Sequence, residues 1–372
     1  MLWVDKFRPT TLNGLSYHDG LTERLKALCE TGDIPHLLFY GPSGAGKKTR
    51  VMCLLREMFG PGVQKVRLEH RTFKTASGKP IELTTLGSNY HIEMNPSDAG
   101  NNDRLVVQEV IKEIAQYHPV LTQNSNKGNT LFGSSSSSST SQATEKGSGK
   151  ANFKVVFLSD CDSLTKAAQH GLRRTMEKYV RSCRLILCCE NLSKVIEPLR
   201  SRCLAIRVPA PTHDEICSVL KNVSTRAFGQ IPDQNISSIA TASGRNLRRA
   251  ILMAEACKVD GSETNRVPLP DWELYIKKIA NQMMKNQSPN SLLECRKMVY
   301  DLLGNCIPAT VIFQHLVKNL LKTDEMLQHD ILCIAADYEH RMQHGSKDIF
   351  HLEAFIAKFM MLYKKYIMDM FD

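Results

Sequence analysis

The sequence predicts an α/β domain, built on a parallel sheet with helices on both faces, followed by a helical lid and an all-α C-terminal domain. The apolar run PHLLFY, residues 35–40, stops at Gly41, and KKTRVMCLLREMF after it has helical spacing. Two more apolar runs, VVFL at 155–158 and LILCC at 185–189, are separated by a helical stretch from Ala167 to Tyr179. Strands that alternate with helices are typical of a parallel sheet whose two faces are both covered.

The pattern changes after Pro209, where the β-rich runs cease. Residues 211–260 have the pattern of a small helical unit, and about five amphipathic helices are predicted from Trp272 onward. The predicted domains are an α/β domain at 1–209, a helical lid at 210–265 and a helical C-terminal domain at 266–372.

Residues 123–151 interrupt the first domain with QNSNKGNTLFGSSSSSSTSQATEKGSGKA. This segment is polar and of low complexity, so it has almost nothing to bury. We interpret it as a flexible insertion between a helix and the strand VVFL, with no chemistry of its own.

The composition limits the class of protein to which the chain can belong. The chain has 372 residues, of which 42% are hydrophobic and 23% charged, as in ordinary soluble globular proteins of two or three domains. Its net charge of +10 fits either a solvated cationic surface or a polyanionic partner. No apolar run approaches the roughly 20 residues that span a bilayer. The N-terminal residues also lack the layout of a signal peptide, so no membrane association is expected.

The cysteines and histidines do not predict a metal site. The 12 cysteines include no C-x-x-C pair, so they are interpreted as reduced thiols in an intracellular compartment. His340 and His344 lie one helical turn apart, but Arg341 occupies the position where a metalloprotease motif needs Glu. Surface or packing histidines are favoured.

GPSGAGKKTR, residues 41–50, is a phosphate-binding loop up to Lys47. Backbone amides of such a loop hold the β-phosphate at a helix N-terminus, and the lysine reaches the β- and γ-phosphates. The predicted phosphate-binding residues are Gly41, Gly44, Ala45, Gly46, Lys47, Lys48 and Thr49. Lys48 stands where a Ser or Thr hydroxyl would bind magnesium, and an ammonium cannot ligate a cation. Nucleotide binding is therefore expected, while Mg²⁺ binding is doubtful.

The strand VVFL should end in an acidic residue that holds magnesium, followed by a glutamate that activates water. Ser159 occupies the metal-binding position without a charge, and Asp160 occupies the water-activating position with a shorter side chain. The departures at Lys48 and Ser159 lie on opposite sides of the expected metal. They predict a site that has lost catalysis and holds no metal.

The sequence resembles a known protein family along nearly its whole length. The motifs that carry the resemblance are WVDKFRP, GPSGAGKKT, PSDAGNNDR, HGLRRTMEKY, Ser201-Arg202-Cys203 and GRNLRRAI. They resemble the small subunits of replication factor C, the eukaryotic sliding-clamp loader of the AAA+ class. GKKT, HRTFKTASGKPIEL, CIPATVI and GSKDIFHLEAFIAKFM are similar to one paralogous group within it. The resemblance implies an AAA+ domain, a lid and a C-terminal collar domain.

The resemblance also gives roles to matching positions of the nucleotide site. It implies that Trp3, Val4, Arg8 and Pro9 pack near the adenine, and that Arg248 contacts the phosphates from the lid. The polar sensor after LILCC should be Asn, but the matching position holds Glu190, which would disfavour hydrolysis. A one-residue shift that restores Asn191 is the alternative.

Other positions are implied to act outside the chain's own nucleotide site. Arg202 matches the arginine that stabilises the phosphoryl group in a neighbouring subunit's site. Arginine suits this task because it is always charged and its two N–H groups can bind phosphate oxygens together. The alternative is a structural surface arginine. The implied DNA contacts are Lys112 and Lys194, with Arg104 as a nearby candidate and Gln108 where relatives have Arg. Arg173 and Arg174 fit DNA contacts and subunit-interface bonds equally well.

The resemblance implies a non-catalytic or weakly catalytic subunit of a heteropentameric clamp loader in the nucleus. Such a complex loads the sliding clamp (proliferating cell nuclear antigen, PCNA) onto primer-template DNA using ATP, and this subunit would hold ATP or ADP structurally. One alternative is a free-standing P-loop AAA+ ATPase, such as a helicase-loading factor. Another is a pure scaffold that binds no nucleotide, which would leave Gly46, Lys47 and Arg248 unexplained.

Overall fold

The computed structural model describes residues 1–74, 80–117, 153–180, 182–227, 231–259, 269–322 and 325–371. The predicted insertion at 123–151 lies outside these ranges. The chain divides into two compact units, Met1–Val267 and Pro268–Asp372. The boundary that we predict between α/β domain and lid falls inside the first unit, and it stays a prediction.

The first unit combines strands with helices. Its strands are β1 Leu37–Tyr40, β2 Arg67–Lys74, β3 Pro80–Gly87, β4 His91–Met94, β5 Lys154–Leu158, β6 Cys183–Cys189 and β7 Leu204–Arg207. Its helices are α1 Trp3–Lys6, α2 Asp19–Glu30, α3 Lys47–Phe59, α4 Asp103–Tyr117, α5 Lys166–Lys178, α6 Glu197–Arg200, α7 His213–Arg226, α8 Asp233–Ala242 and α9 Leu247–Val259. The predicted helix after the phosphate loop therefore has the expected bounds.

The seven strands form one sheet in the order β2-β3-β4-β5-β6-β1-β7. The strands from β4 to β7 in this order pair in parallel, whereas β3 pairs antiparallel with both β2 and β4. The predicted α/β class is confirmed, but the sheet is mixed rather than purely parallel. The antiparallel strands RLEHRTFK and PIELTTLG are partly exposed and contain many polar residues, so they lack the continuous apolar runs that revealed the buried strands.

Helices cover both faces of the sheet, as predicted, because β5 and β6 send alternate side chains to opposite sides. Val156 and Leu158 pack in a core with α4 and α5. Val155 and Phe157 pack in a second core with α2 and α3. The carboxyl ends of the parallel strands and the N-terminus of α3 therefore meet along one edge of the sheet.

In the described ranges, the elements after β7 are all helices. Helix α7 begins with a capping box, in which the Thr212 hydroxyl accepts the Glu215 N–H at 3.3 Å and the Glu215 carboxylate accepts the Thr212 N–H at 2.7 Å. The second unit consists of α10 Asp271–Lys285, α11 Pro289–Gly304, α12 Ala309–Leu320, α13 Glu325–His344 and α14 Asp348–Phe371. None of the helices in the described ranges is long and apolar enough to cross a membrane.

Two buried histidines make the stability of the first unit depend on pH. The His36 Nδ1 accepts the Leu185 N–H at 3.0 Å, and the His91 Nδ1 lies 2.7 Å from the Ser88 hydroxyl. Among the described residues, the His91 Nε2 has no hydrogen-bond partner. Burial lowers the pKa of both imidazoles from the usual value of 6.5, so folding favours their neutral forms.

We expect the melting temperature to fall on acidification. Below about pH 6.5 the two histidines bind protons more readily in the unfolded chain than in the folded one. Their contribution to stability is therefore fully present above that pH and is lost as the pH falls toward the lowered native pKa values. Thermal unfolding at pH 7.5 and at pH 5.5 measures the effect. His36→Asn keeps an acceptor for Leu185 and should reduce the fall, whereas His70→Asn on the exposed face of β2 should not. An equal fall in all three proteins would contradict the assignment.

Candidate nucleotide-binding site

The loop between β1 and α3 needs glycine at three positions. Gly41, Gly44 and Gly46 have φ angles of 151°, 72° and 83°. A Cβ at Gly41 would lie 2.0 Å from the Val208 carbonyl oxygen, and one at Gly44 would lie 1.8 Å from the Asn246 Oδ1. These short distances leave no room for a side chain at Gly41 or Gly44. The backbone of the loop therefore faces the space beside the N-terminus of α3.

Lys47 is the first residue of α3, where the helix dipole favours an anion. Its ammonium donates to the carbonyl oxygens of Gly41 at 2.7 Å and Pro42 at 3.0 Å. The loop therefore holds the ammonium close to its own backbone, at the position from which it can reach a phosphate.

A cavity of about 480 Å³ opens beside the loop, within the size range of small-molecule sites. The predicted residues that line it are Trp3, Val4, Arg8, Pro9, Gly44, Ala45, Gly46, Lys47, Lys48, Thr49, Ser159, Asp160 and Arg248. Gly41 and Glu190 are not part of the lining. Gly41 instead closes the turn against Val208. The fold thus brings the N-terminal segment, the phosphate loop, the end of β5 and the lid around one space.

The N-terminal segment is attached to the lid helix that carries Arg248. The Trp3 N–H donates to the Glu255 carboxylate at 3.0 Å, and the Lys258 ammonium lies 5.4 Å from the centre of the Trp3 ring. Both partners are on α9. A change in the position of α9 would therefore move the predicted adenine-side residues together with Arg248.

Two side chains at the end of β5 differ in their surroundings. The Ser159 hydroxyl donates to the Met94 carbonyl oxygen at 3.3 Å. Asp160 has a positive φ of 49°. Partial burial, together with the charges of Asp162 and Glu190, raises the pKa of the Asp160 carboxyl, and Lys47 opposes this shift.

Asp162 holds the segment after β6 by hydrogen bonds to its backbone. The backbone N–H groups of Glu190 and Asn191 lie 3.3 Å and 3.2 Å from the Asp162 Oδ2, to which both donate. Neither side chain lines the cavity, and both residues are exposed. The choice between Glu190 and Asn191 as the sensor position therefore stays open.

The residues present do not fit magnesium, which the P-loop fold would ordinarily hold here. Lys48 forms an ion pair with Glu93 and thereby occupies a carboxylate next to the phosphate loop. The hydroxyl of Ser159 is engaged with a backbone carbonyl.

Arg202 lies outside the cavity of its own chain. Its Nε and Nη2 lie 2.8 Å and 2.7 Å from the Glu177 Oε1, and its Nη1 donates to the Pro198 carbonyl oxygen at 2.8 Å. The hydrogen bond from Arg202 lowers the pKa of the Glu177 carboxyl. Arg173 lies 3.8 Å from the same carboxylate, so it shares a surface with Arg202.

Two family models match the chain: "Replication factor C subunit 3, C-terminal domain" over residues 272–367 and "RCF1/5-like, AAA+ ATPase lid domain" over residues 218–259. Replication factor C subunit 3 of Mus musculus is 50% identical over 372 residues, which cover 99% of this chain and 98% of that protein. The chain belongs to the replication factor C family. Replication factor C subunit 5 is 49% identical in Oryza sativa, over 100% of both chains, and 44% identical in Schizosaccharomyces pombe, over 98% of this chain and 97% of that one.

The replication factor C relatives bear the subunit numbers three and five, so the paralogous group indicated by GKKT and CIPATVI is confirmed. It is the group called subunit three in animals and subunit five in budding yeast. A clamp-loader subunit fits these findings better than a free-standing ATPase, and the AAA+ P-loop fold implies nucleotide binding. The Thermotoga maritima RuvB structure matches 75% of this chain and 80% of that chain, with 16% identity and a TM-score of 0.46.

Three exposed basic residues are the DNA candidates of this replication factor C chain. Arg104 and Lys112 lie on α4, and Lys194 lies in the turn after β6. Buried Gln169 holds that turn, since its amide donates to the Lys194 carbonyl at 3.3 Å and accepts the Ile196 N–H at 2.9 Å. The DNA role of the three residues stays a prediction.

Several residues that shape these sites escaped the sequence analysis. Glu93 pairs with Lys48, Asn246 packs against Gly44, and Glu177 holds Arg202. No local motif indicates which residue each of them contacts, because each partner is distant along the chain. Only the alternation of HIEM could have placed Glu93 on the face of the sheet toward α3.

Proposed function

We propose that this chain is a non-catalytic or barely catalytic subunit of the heteropentameric replication factor C clamp loader. It holds ATP or ADP mainly as part of the structure and donates Arg202 to a neighbouring subunit's site. In the nucleus, the complex loads PCNA onto primer-template DNA, and the C-terminal helices join a collar. The relatives' names, which call each of them a subunit, support membership of a multi-subunit complex.

One observation carries the proposal that nucleotide is held without turnover. The glycine loop, Lys47 and Arg248 line a cavity large enough for a nucleotide, while Lys48 and Ser159 replace both expected magnesium ligands. Binding uses backbone amides and cationic side chains, which remain. Phosphoryl transfer needs the metal to neutralise developing charge, and its ligands are gone.

The trans role of Arg202 is supported by its position. It is only partly exposed and does not line its own cavity, so it cannot stabilise a phosphate there. Glu177 and the Pro198 carbonyl hold the guanidinium on the surface that carries Arg173. The shared carboxylate favours the subunit-interface interpretation of Arg173 over DNA contact, and Arg174 stays open.

A second surface is proposed for DNA. Arg104, Lys112 and Lys194 are exposed and would contact phosphates rather than bases. Such contacts are electrostatic, so binding should weaken steeply with salt. Because Gln108 replaces an arginine of relatives, the grip of this subunit on DNA would be lighter than that of its siblings.

The isolated chain should bind adenine nucleotide without measurable turnover. Titration with a fluorescent adenine nucleotide measures binding, and phosphate release measures turnover. Lys47→Ala is the control, since it removes the ammonium that faces the phosphates. Phosphate release above background that disappears in Lys47→Ala would favour the free-standing ATPase, and absence of any nucleotide binding would favour the scaffold.

A further inference from the structure

Lys48 has a fixed partner at the wall of the cavity. It is the second residue of α3, and its ammonium forms an ion pair with the Glu93 Oε1. The Glu93 side chain is only 12% exposed, whereas that of Lys48 is 44% exposed. Both residues line the nucleotide cavity together with Ser159.

Sheet register explains why these three side chains meet. Glu93 on β4 is the parallel partner of Phe157 on β5, so both side chains point to the same face of the sheet. Phe157 packs in the core with α3, which identifies that face. Ser159 follows Phe157 by two residues and continues on the same side. The carboxylate of Glu93 therefore lies on the α3 side of the sheet, where it reaches Lys48 in the first turn of α3.

A mostly enclosed carboxylate is stabilised by a paired cation, and the ion pair fixes the position of the Lys48 ammonium. In an ordinary phosphate loop, the residue at position 48 and the end of the strand would hold a divalent ion here. In this chain the same space is reached by an ammonium. A divalent ion placed against the same phosphates would meet the like charge of Lys48 at close range.

We propose that Lys48, held by Glu93, is the resident cation of this site, and that the cavity takes an adenine nucleotide free of magnesium. Lys48 supplies part of the countercharge that the metal supplies elsewhere, and Glu93 is a positioning residue. The inference rests on the proposed function, since it specifies the form of nucleotide that the subunit holds.

The test compares the affinity of the full chain for a fluorescent ADP in excess magnesium and in excess chelator. The wild-type Kd should change by less than about twofold between the two buffers. Lys48→Thr restores the hydroxyl and removes the ammonium, so its Kd in chelator should rise by about tenfold or more, which corresponds to about 1.4 kcal/mol. Lys48→Thr with Ser159→Asp should regain affinity when magnesium is added.

Lys221→Thr is the matched control. Lys221 is also in an ion pair, with Asp233 at 2.9 Å, but it does not line the cavity, so its loss should leave both Kd values unchanged. Wild-type binding that weakens tenfold in chelator would overturn the inference and leave the proposed nucleotide-holding role intact. Absence of wild-type binding in both buffers would contradict the proposed function itself. If Lys48→Thr does not fold, as judged by thermal unfolding, the wild-type comparison decides alone.

Discussion

Replacing Arg202 by alanine should lower the ATPase activity of the assembled complex while leaving nucleotide in this subunit's own cavity. The guanidinium lies outside that cavity and is held by Glu177, so its loss removes nothing that would contact the resident nucleotide. A neighbouring site would lose the charge that stabilises the transferred phosphoryl group. An arginine finger is worth roughly 10³ to 10⁵ in rate at one site. The other sites of the complex keep working, so the measured fall should be partial.

The measurement is ATPase activity stimulated by DNA and clamp, in complexes reconstituted with wild-type partners, alongside bound nucleotide per subunit. Arg202→Lys is the informative companion, because it keeps the charge but loses the fork that matches phosphate oxygens, and it should resemble alanine. A variant complex with normal turnover and an empty cavity in this subunit would show that Arg202 acts in cis.

Lys47→Ala should have the opposite effect and empty this subunit's cavity with far less direct change in turnover. The ammonium is held at the phosphate loop by the Gly41 and Pro42 carbonyls, in position to contact the phosphates. Hydrogen bonds to charged groups contribute about 1.5–3 kcal/mol, so the Kd should rise roughly ten- to hundredfold. The structure gives no reason for the neighbouring site to change, since Lys47 lies within its own chain's cavity.

Equilibrium binding to the purified variant and nucleotide content of the reconstituted complex measure this loss. Lys26→Ala on α2 is a suitable control, because Lys26 does not line the cavity. If Lys47→Ala abolished the turnover of the whole complex while the complex still assembled, this subunit would be catalytic and the proposed structural role of its nucleotide would fail.

The consecutive patterns of strand, glycine loop and helix were sufficient to predict the central part of the α/β domain. The strand that stops at Gly41, the glycine loop and the helix from Lys47 to Phe59 follow one another without a break, so hydrophobic period and loop residues identify them directly. The replacements at Lys48 and Ser159 could likewise be read from single positions. The mixed sheet was missed because its two antiparallel strands are partly exposed and carry a weaker pattern.

The sequence by itself determined the phosphate loop and the positions that depart from its usual motif, because each is a property of neighbouring residues in one segment. Only the tertiary structure decided which side chains pair with Lys48 and Arg202. Glu93 meets Lys48 across 45 positions of the chain, and Glu177 meets Arg202 across 25. Such partners are set by strand register and helix packing, which no local pattern encodes. The ion pair between Glu93 and Lys48 is one such contact, and it is the observation on which the proposed magnesium-free nucleotide rests.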